Sequence, residues 1–180
     1  MIKTQHTIIA ATLVLLFGCD FRQGKRAQAK IESKSESLVA GQAFFSEKSG
    51  KVKVEISLTS VEPGPTAVHL HSIGDCSSED ATSSGGHWNP TKDKHGKWGE
   101  GQFHSGDIGN ISLDESGKGV LILIDQHNRW SIGGPAETNV IGRAVVVHQE
   151  RDDMTSQPSG AAGKRTGCGV IIETTGVTKK

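Results

Sequence analysis

The sequence has no tyrosine, only three tryptophans and five phenylalanines, and no apolar run as long as the roughly 20 residues of a membrane-spanning helix. With 34% hydrophobic residues among 180, the chain can build one modest core, and we expect no second domain. Its 20 basic and 20 acidic residues cancel, which argues against a general nucleic-acid-binding surface. The 23 glycines and the scarcity of helix-forming runs favour strands and turns. Any electrostatic function must therefore be local.

The first residues have the pattern of an export signal, since Lys3 precedes a short apolar run over residues 8–18. The motif Leu16-Phe17-Gly18-Cys19 resembles the cleavage site of bacterial lipoproteins, in which the cysteine carries the lipid. We therefore predict a signal peptide over residues 1–18, lipidation of Cys19 and a flexible tether over the polar residues 19–37. The alternative is cleavage after Ala27-Gln28-Ala29, which three basic residues separate from the apolar run.

An exported chain of this kind would lie in the bacterial periplasm or cell envelope, held to a membrane only by its lipid. Lipidation of Cys19 leaves Cys76 and Cys168 as an even pair in an oxidising compartment, where a disulfide is the default expectation. Free thiols or soft metal ligands are the alternatives for these two cysteines.

Alternating apolar residues begin near Leu38 and define the remaining domain, residues 38–180. They are clearest in 51–58, where a turn at Lys48-Ser49-Gly50 predicts a hairpin with residues 43–45. Further strands are predicted over 67–71, 108–114, 120–125, 140–148 and 168–173, and no helix is longer than one turn. Short, regularly spaced strands with turn signals between them predict an all-β, antiparallel sandwich or barrel.

Residues 67–107 carry five of the eight histidines and indicate a metal site. His69 and His71 alternate with apolar residues, so both imidazoles leave the same face of a strand roughly 6–7 Å apart. The other potential ligands follow in a long Gly- and Ser-rich loop that has no strand or helix pattern, and a bound ion would order such a loop. These residues are His87, His95, His104 and Asp107.

Two later segments complete the pattern: Gly142-Arg143-Ala144-Val145-Val146-Val147-His148 and Arg165-Thr166-Gly167-Cys168-Gly169-Val170-Ile171. With the histidine series they resemble the copper/zinc superoxide dismutase family over residues 39–172. The resemblance implies an antiparallel Greek-key β-sandwich of immunoglobulin-like type with long metal-binding loops.

Carried over by position, the resemblance makes the copper ligands His69, His71, His87 and His148. The zinc ligands are His87, His95, His104 and Asp107. His87 would bridge the two ions, Asp152 would link His69 with His95, and Arg165 would orient the superoxide anion beside copper. The residue types agree, because imidazoles suit copper in an open tetragonal site and three imidazoles with a carboxylate suit tetrahedral zinc.

The implied activity is conversion of superoxide to oxygen and hydrogen peroxide by alternate reduction and oxidation of copper, with zinc in a structural and tuning role. The alternative is a non-catalytic carrier or buffer of copper and zinc, which would need neither Arg165 nor a bridging His87. Nucleic acid is not expected as a partner. Glu173 occupies a position that is apolar in the dimer interface of eukaryotic members, so a homodimer and a monomer both remain open.

Overall fold

The structure is a computed structural model that describes residues 24–60 and 62–174. Its strands are β1 (Arg26–Ser33), β2 (Ala40–Lys48), β3 (Lys51–Thr59), β4 (Gly64–His71), β5 (Gly109–Leu113), β6 (Lys118–Ile124), β7 (Ala144–His148), β8 (Arg165–Val170) and β9 (Ile172–Glu173). A single 3₁₀ turn, Thr82–Ser84, is the only helical element of the described residues. None of the helices there could cross a membrane.

The strands form one antiparallel sheet in the order β5-β4-β7-β8-β1-β2-β3-β6, and β9 pairs with the first residues of β1. β5 and β6 are joined by a tight turn and also contact each other, so the sheet curls into a nearly closed barrel. We call β1, β2, β3, β6 and β9 the first half-sheet, and β4, β5, β7 and β8 the second. The predicted all-β, antiparallel fold is confirmed.

Alternation of side chains explains the core between the two half-sheets. In β3, every second residue is buried while its neighbours face outward; β2 adds buried residues beside it, and β4 supplies buried residues from the second half-sheet. The predicted hairpin is confirmed, because β2 and β3 pair along their whole length from Lys48 and Lys51 at the turn. The largest fully buried apolar side chains are those of Phe45, Ile31, Ile56, Leu70, Ile111, Ile132 and Ile171.

The predicted tether differs from the structure. Residues Arg26–Ser33, which we expected to be flexible, form β1, and this strand pairs with β2 and β8 near the middle of the sheet. Ala27, Ala29 and Ile31 fill the core from β1, so the folded domain begins before Leu38. Alanine contributes little to a hydrophobic pattern, and the charged neighbours of these three residues concealed their alternation.

The strand predicted over 140–148 is also shorter than expected. Residues 140–143 form a turn in which the Arg143 amide donates to the Val140 carbonyl, and β7 begins only at Ala144. Gly142 has φ +77°, a left-handed conformation that favours glycine and cannot continue a strand. The consequence for the site is small, because His148 still ends β7.

Candidate metal centre

Two neighbouring strands of the second half-sheet carry three of the predicted ligands. Val68 and Leu70 of β4 enter the core, which places His69 and His71 together on the opposite face. β7 runs antiparallel beside β4 and brings His148 to the same face. His87 joins them from the long loop through an isolated β-bridge to His71. One potential ligand atom from each of these four histidines lies within 4.8 Å of the others.

Hydrogen bonds decide which ring nitrogen each histidine offers. Nε2 of His69 bonds to Asp152 Oδ2 at 2.9 Å, and Nδ1 of His71 bonds to the Gly85 carbonyl at 2.8 Å. Nδ1 of His148 lies 3.5 Å from the Gly163 carbonyl. Because these partners accept hydrogen bonds, the N–H belongs on the bonded nitrogen and the lone pair on the other.

The ring nitrogens that make no hydrogen bond are the ones that point toward one another. Nδ1 of His69 and Nε2 of His71, His87 and His148 are buried and have no hydrogen-bond partner among the described residues. A buried polar atom without a partner costs about 1–3 kcal/mol, so four would cost on the order of 4–12 kcal/mol, comparable to the whole stability of a domain. A metal ion is the ligand that four converging imidazole lone pairs fit.

The second set consists of His87, His95, His104 and Asp107 and lies beside the first. Asp107 Oδ1 is 2.8, 3.0 and 3.1 Å from the Nδ1 atoms of His87, His95 and His104. The Nδ1 atoms of His104 and His87 are 3.5 Å apart. Tetrahedral zinc with bonds of about 2.0–2.1 Å separates its ligand atoms by about 3.3 Å. The three nitrogens and one oxygen therefore have the spacing and the chemistry of a closed zinc site.

Burial favours the neutral, ligating form of several of these histidines. It lowers the pKa of His71 to about 2, with a smaller contribution from nearby His87. Burial also lowers the pKa of His87 to about 4, although its hydrogen bond to Asp107 acts in the opposite direction. The pKa of His148 is lowered well below its usual value for the same reason. At neutral pH these three imidazoles are therefore uncharged, and each has one ring nitrogen with a free lone pair.

Asp152 connects the two sets by hydrogen bonds to one histidine of each. Its Oδ2 accepts from His69 at 2.9 Å, and its Oδ1 accepts from Nε2 of His95 at 2.9 Å. The carboxylate is 1% exposed, and its pKa is depressed because these hydrogen bonds outweigh the effect of burial. The structure thus shows the link between His69 and His95 that the resemblance implied.

Two supporting residues were missed by sequence reasoning. The amide of Gln157 clamps the backbone of His95, accepting from its N–H at 2.9 Å and donating to its carbonyl at 2.9 Å. Lys34, which we placed in the tether, donates to the carbonyls of Cys76 and Ser78. The alternation of β1 could have drawn attention to Lys34, but no sequence signal distinguishes Gln157.

Arg165 begins β8 and lines a cleft of about 510 Å³ together with His71, His87 and His148. Its Nη1 donates to the Ala81 carbonyl at 2.7 Å and contacts Ser84 Oγ at 3.2 Å, which fixes the half-buried guanidinium at this position.

The predicted disulfide is confirmed: Cys76 and Cys168 are bonded, and the bond ties the loop after β4 to β8. Cys19 lies outside the described residues. His127 and Arg143 lie outside both ligand sets. Arg143 instead holds the Ser72 and Ala136 carbonyls.

Comparison with known proteins identifies the family. The family model described as copper/zinc superoxide dismutase matches residues 39–171. The chain belongs to the copper/zinc superoxide dismutase family. Superoxide dismutase [Cu-Zn] 3 of Arabidopsis thaliana is 35% identical over 134 residues, which are 71% of this chain and 79% of the relative. The crystal structure of the clock protein EA4 superimposes with a TM-score of 0.71 at 35% identity, covering 84% of this chain and 96% of that one.

Family membership and the two ligand sets agree on activity and cofactors. The protein is a superoxide dismutase with copper and zinc as cofactors, and it converts superoxide to oxygen and hydrogen peroxide. The match begins at Val39, so β1, which completes the sheet between β2 and β8, lies outside the matched region.

Proposed function

We propose that His69, His71, His87 and His148 bind the catalytic copper and that His87, His95, His104 and Asp107 bind zinc. The observation that carries this assignment is the convergence of unpartnered, buried nitrogens from the first set beside an N₃O group with tetrahedral spacing. When bound, copper supplies one-electron oxidation and reduction, whereas zinc has no redox chemistry and supplies a fixed positive charge. The remaining contributions come from the residues around them.

His87 is the residue through which the two ions would influence each other. Its Nδ1 belongs to the zinc set and its Nε2 to the copper set. To ligate through both nitrogens it must lose both ring protons, which requires a cation on each side. Its hydrogen-bond partner, Asp107, is itself a member of the zinc set, whereas the partners of His69, His71 and His148 belong to neither set. His87 is therefore suited to exchange a proton on its copper side.

Arg165 supplies the positive charge that a small anion would meet in the cleft. Its contact with the Ala81 carbonyl holds it near His71 and His148, so superoxide would be oriented at a defined position. We expect Arg165→Glu to retain copper and zinc but to lower turnover on the order of 10–100-fold, because the replacement repels the substrate. Unaltered turnover would contradict the role given to this arginine.

The carrier alternative is tested by measuring superoxide consumption and metal content on the same purified, full-length protein, before and after addition of copper and zinc. Turnover that depends on copper supports catalysis at the first set. A protein that holds one copper and one zinc but does not consume superoxide would instead be a metal carrier. His87→Ala should lower both copper and zinc content, because it removes one ligand from each set.

We also propose that the chain is a lipoprotein of the bacterial cell envelope, anchored through Cys19. Cleavage after Ala29 would divide β1, in which Ala27 and Ala29 are buried and pair with β2. Cleavage before Cys19 would leave that strand whole. Mass spectrometry of the N-terminal peptide tests this proposal: an acylated Cys19 supports it, and a mature chain that begins after Ala29 contradicts it.

For a homodimer, the surface near the C-terminus is a poor candidate. Glu173 is exposed where β9 pairs with Ala27 of β1, and burying its carboxylate without a partner would be costly. We propose that a dimer, where it forms, uses another surface. Charge reversal at Glu173 should then leave the oligomeric state unchanged in sedimentation analysis.

A further inference from the structure

The outer surface of the first half-sheet combines positive charge with exposed apolar side chains. Directly opposite residues place Arg26, Ser46, Lys53 and Ile124 in one row across β1, β2, β3 and β6. The next row contains Phe44, Glu55 and Ile122. We define the anchor-side face as Arg26, Phe44, Lys48, Lys53, Ile122 and Ile124.

The apolar residues of this face are unusual for a solvated sheet. Phe44, Ile122 and Ile124 are 48%, 57% and 47% exposed. They point away from the core, because their neighbours along each strand face inward. Exposed apolar residues that are surrounded by charge mark an interaction surface more often than isolated ones do.

The charges of this region have one predominant sign. Arg26, Lys48, Lys51 and Lys53 occupy outward positions at the end of the half-sheet where β1 begins, and Glu55 is the one outward carboxylate among them. Glu55 pairs with Lys53 at 3.1 Å, which leaves the other three cations unmatched by an acidic residue of these strands. A surface of this composition is complementary to anionic lipid headgroups, with the apolar side chains entering the interface.

The position of the anchor selects the membrane as the occupant. Cys19 precedes Arg26 by seven residues, so a lipid on Cys19 can lie no more than about 25 Å from the start of β1. The start of the anchor-side face therefore stays within about 25 Å of the lipid whenever Cys19 is acylated. We propose that the anchor-side face docks on the anionic phospholipid surface to which the lipid tethers the chain. This inference rests on the proposed lipidation of Cys19.

Docking in this orientation keeps the catalytic cleft in water. β1 runs from Arg26 to Ser33, which pairs with Gly167, two residues after Arg165. The eight-residue strand spans about 23 Å, more than twice the distance over which physiological salt screens a charged surface. His69, His71 and His148 lie on the second half-sheet, on the opposite side of the core, and the other metal ligands follow in the loop after β4. Anionic lipids would therefore not repel superoxide from the cleft.

The test uses the full-length, metal-loaded and acylated protein reconstituted on vesicles. A fluorophore is attached through Ser46→Cys, in the centre of the face, or through Thr155→Cys, an exposed position in the loop after Asp152. The vesicles carry a headgroup quencher in phosphatidylcholine alone or mixed with phosphatidylglycerol. We expect strong quenching only for the label at position 46, only with phosphatidylglycerol, and less of it at high salt.

Charge reversal provides the matched comparison. Lys48→Glu with Lys53→Glu should lower the ratio of docked to undocked protein about tenfold or more, since each basic residue near an anionic surface contributes about fivefold. Lys92→Glu with Lys118→Glu makes the same change in net charge at exposed sites outside the face and should leave the ratio unchanged. Superoxide turnover should be unaffected in both double variants.

The outcomes separate this inference from the proposed anchor. Acylated protein that joins the vesicles but shows equal quenching at positions 46 and 155, or no dependence on phosphatidylglycerol, overturns the docked orientation alone. If the position 46 variant shows no quenching and two copies instead cross-link through position 46, the docked orientation is also overturned, because a second copy would then cover the face. If the expressed protein carries no lipid on Cys19 and does not bind the vesicles, both the anchor and the docking are overturned.

Discussion

Replacement of Asp152 by asparagine should weaken copper binding more than zinc binding. In the parent, Oδ1 accepts from Nε2 of His95 and from the Met154 amide, whereas Oδ2 accepts only from Nε2 of His69. An asparagine therefore keeps its carbonyl oxygen at the Oδ1 position, where it has two donors. Its NH₂ group then replaces Oδ2 and faces the N–H of His69, so the bond that orients this copper ligand is lost.

The magnitude follows from the kind of bond that is removed. A hydrogen bond to a charged group in a buried site contributes about 1.5–3 kcal/mol, and both partners here are at most 1% exposed. That free energy corresponds to a decrease in copper affinity of roughly 10–100-fold. A shift of the His69 proton to Nδ1 would restore a hydrogen bond but block the ligating nitrogen, so it acts in the same direction. His95 keeps an acceptor, and we expect zinc affinity to fall less than tenfold.

The assay is competition between the metal-free, full-length protein and a chelator of known affinity, with copper and with zinc in separate titrations. Asp153→Asn is the matched control, because this neighbouring carboxylate is partly exposed and bonds only to Thr155 and Ser156. It should bind both metals like the parent. Unchanged copper affinity in Asp152→Asn would refute the reasoning, and a larger loss for zinc than for copper would refute the placement of the amide oxygen.

Three further predictions follow from local geometry. Gly160→Ala should lower zinc content and thermal stability, since a Cβ there would lie 1.8 Å from Oδ1 of Asp152. Gly133→Ala is the control: it has a similar positive φ but lies in open space, and it should lower the free energy of unfolding by only about 1–2 kcal/mol. Removing the disulfide by Cys76→Ser with Cys168→Ser should lower the free energy of unfolding, by at most about 4–5 kcal/mol in the chain-entropy model, and with it the urea midpoint; an unchanged midpoint would contradict this. Burial lowers the pKa of His95, but its hydrogen bonds to two carboxylates outweigh this effect and raise the pKa to about 9. Zinc must displace the extra proton of His95, so the zinc affinity of the metal-free protein should rise about tenfold per pH unit up to about pH 9. A zinc affinity that does not change with pH in calorimetric titrations would contradict this prediction.

Sequence periodicity predicted most of the fold because the relevant information is local. The alternation of β3 and the turn before it determine a hairpin, and the two-residue spacing of His69 and His71 places both rings on one face. Periodicity failed at β1, whose inward residues are two alanines and one isoleucine between charged neighbours. Pairing with β2 and β8 orders this strand, and such pairing depends on residues far away in the chain.

The sequence by itself determined which residue types could form the centre and, through their order and spacing, the family to which the chain belongs. Only the tertiary structure decided which nitrogen each histidine offers, because the hydrogen-bond partner sets the tautomer. Gly85 fixes His71 from the loop, and Asp152 fixes His69 across 83 residues. The outward row of basic and apolar residues likewise exists only after β1, β2, β3 and β6 pair in register, since no single strand contains it.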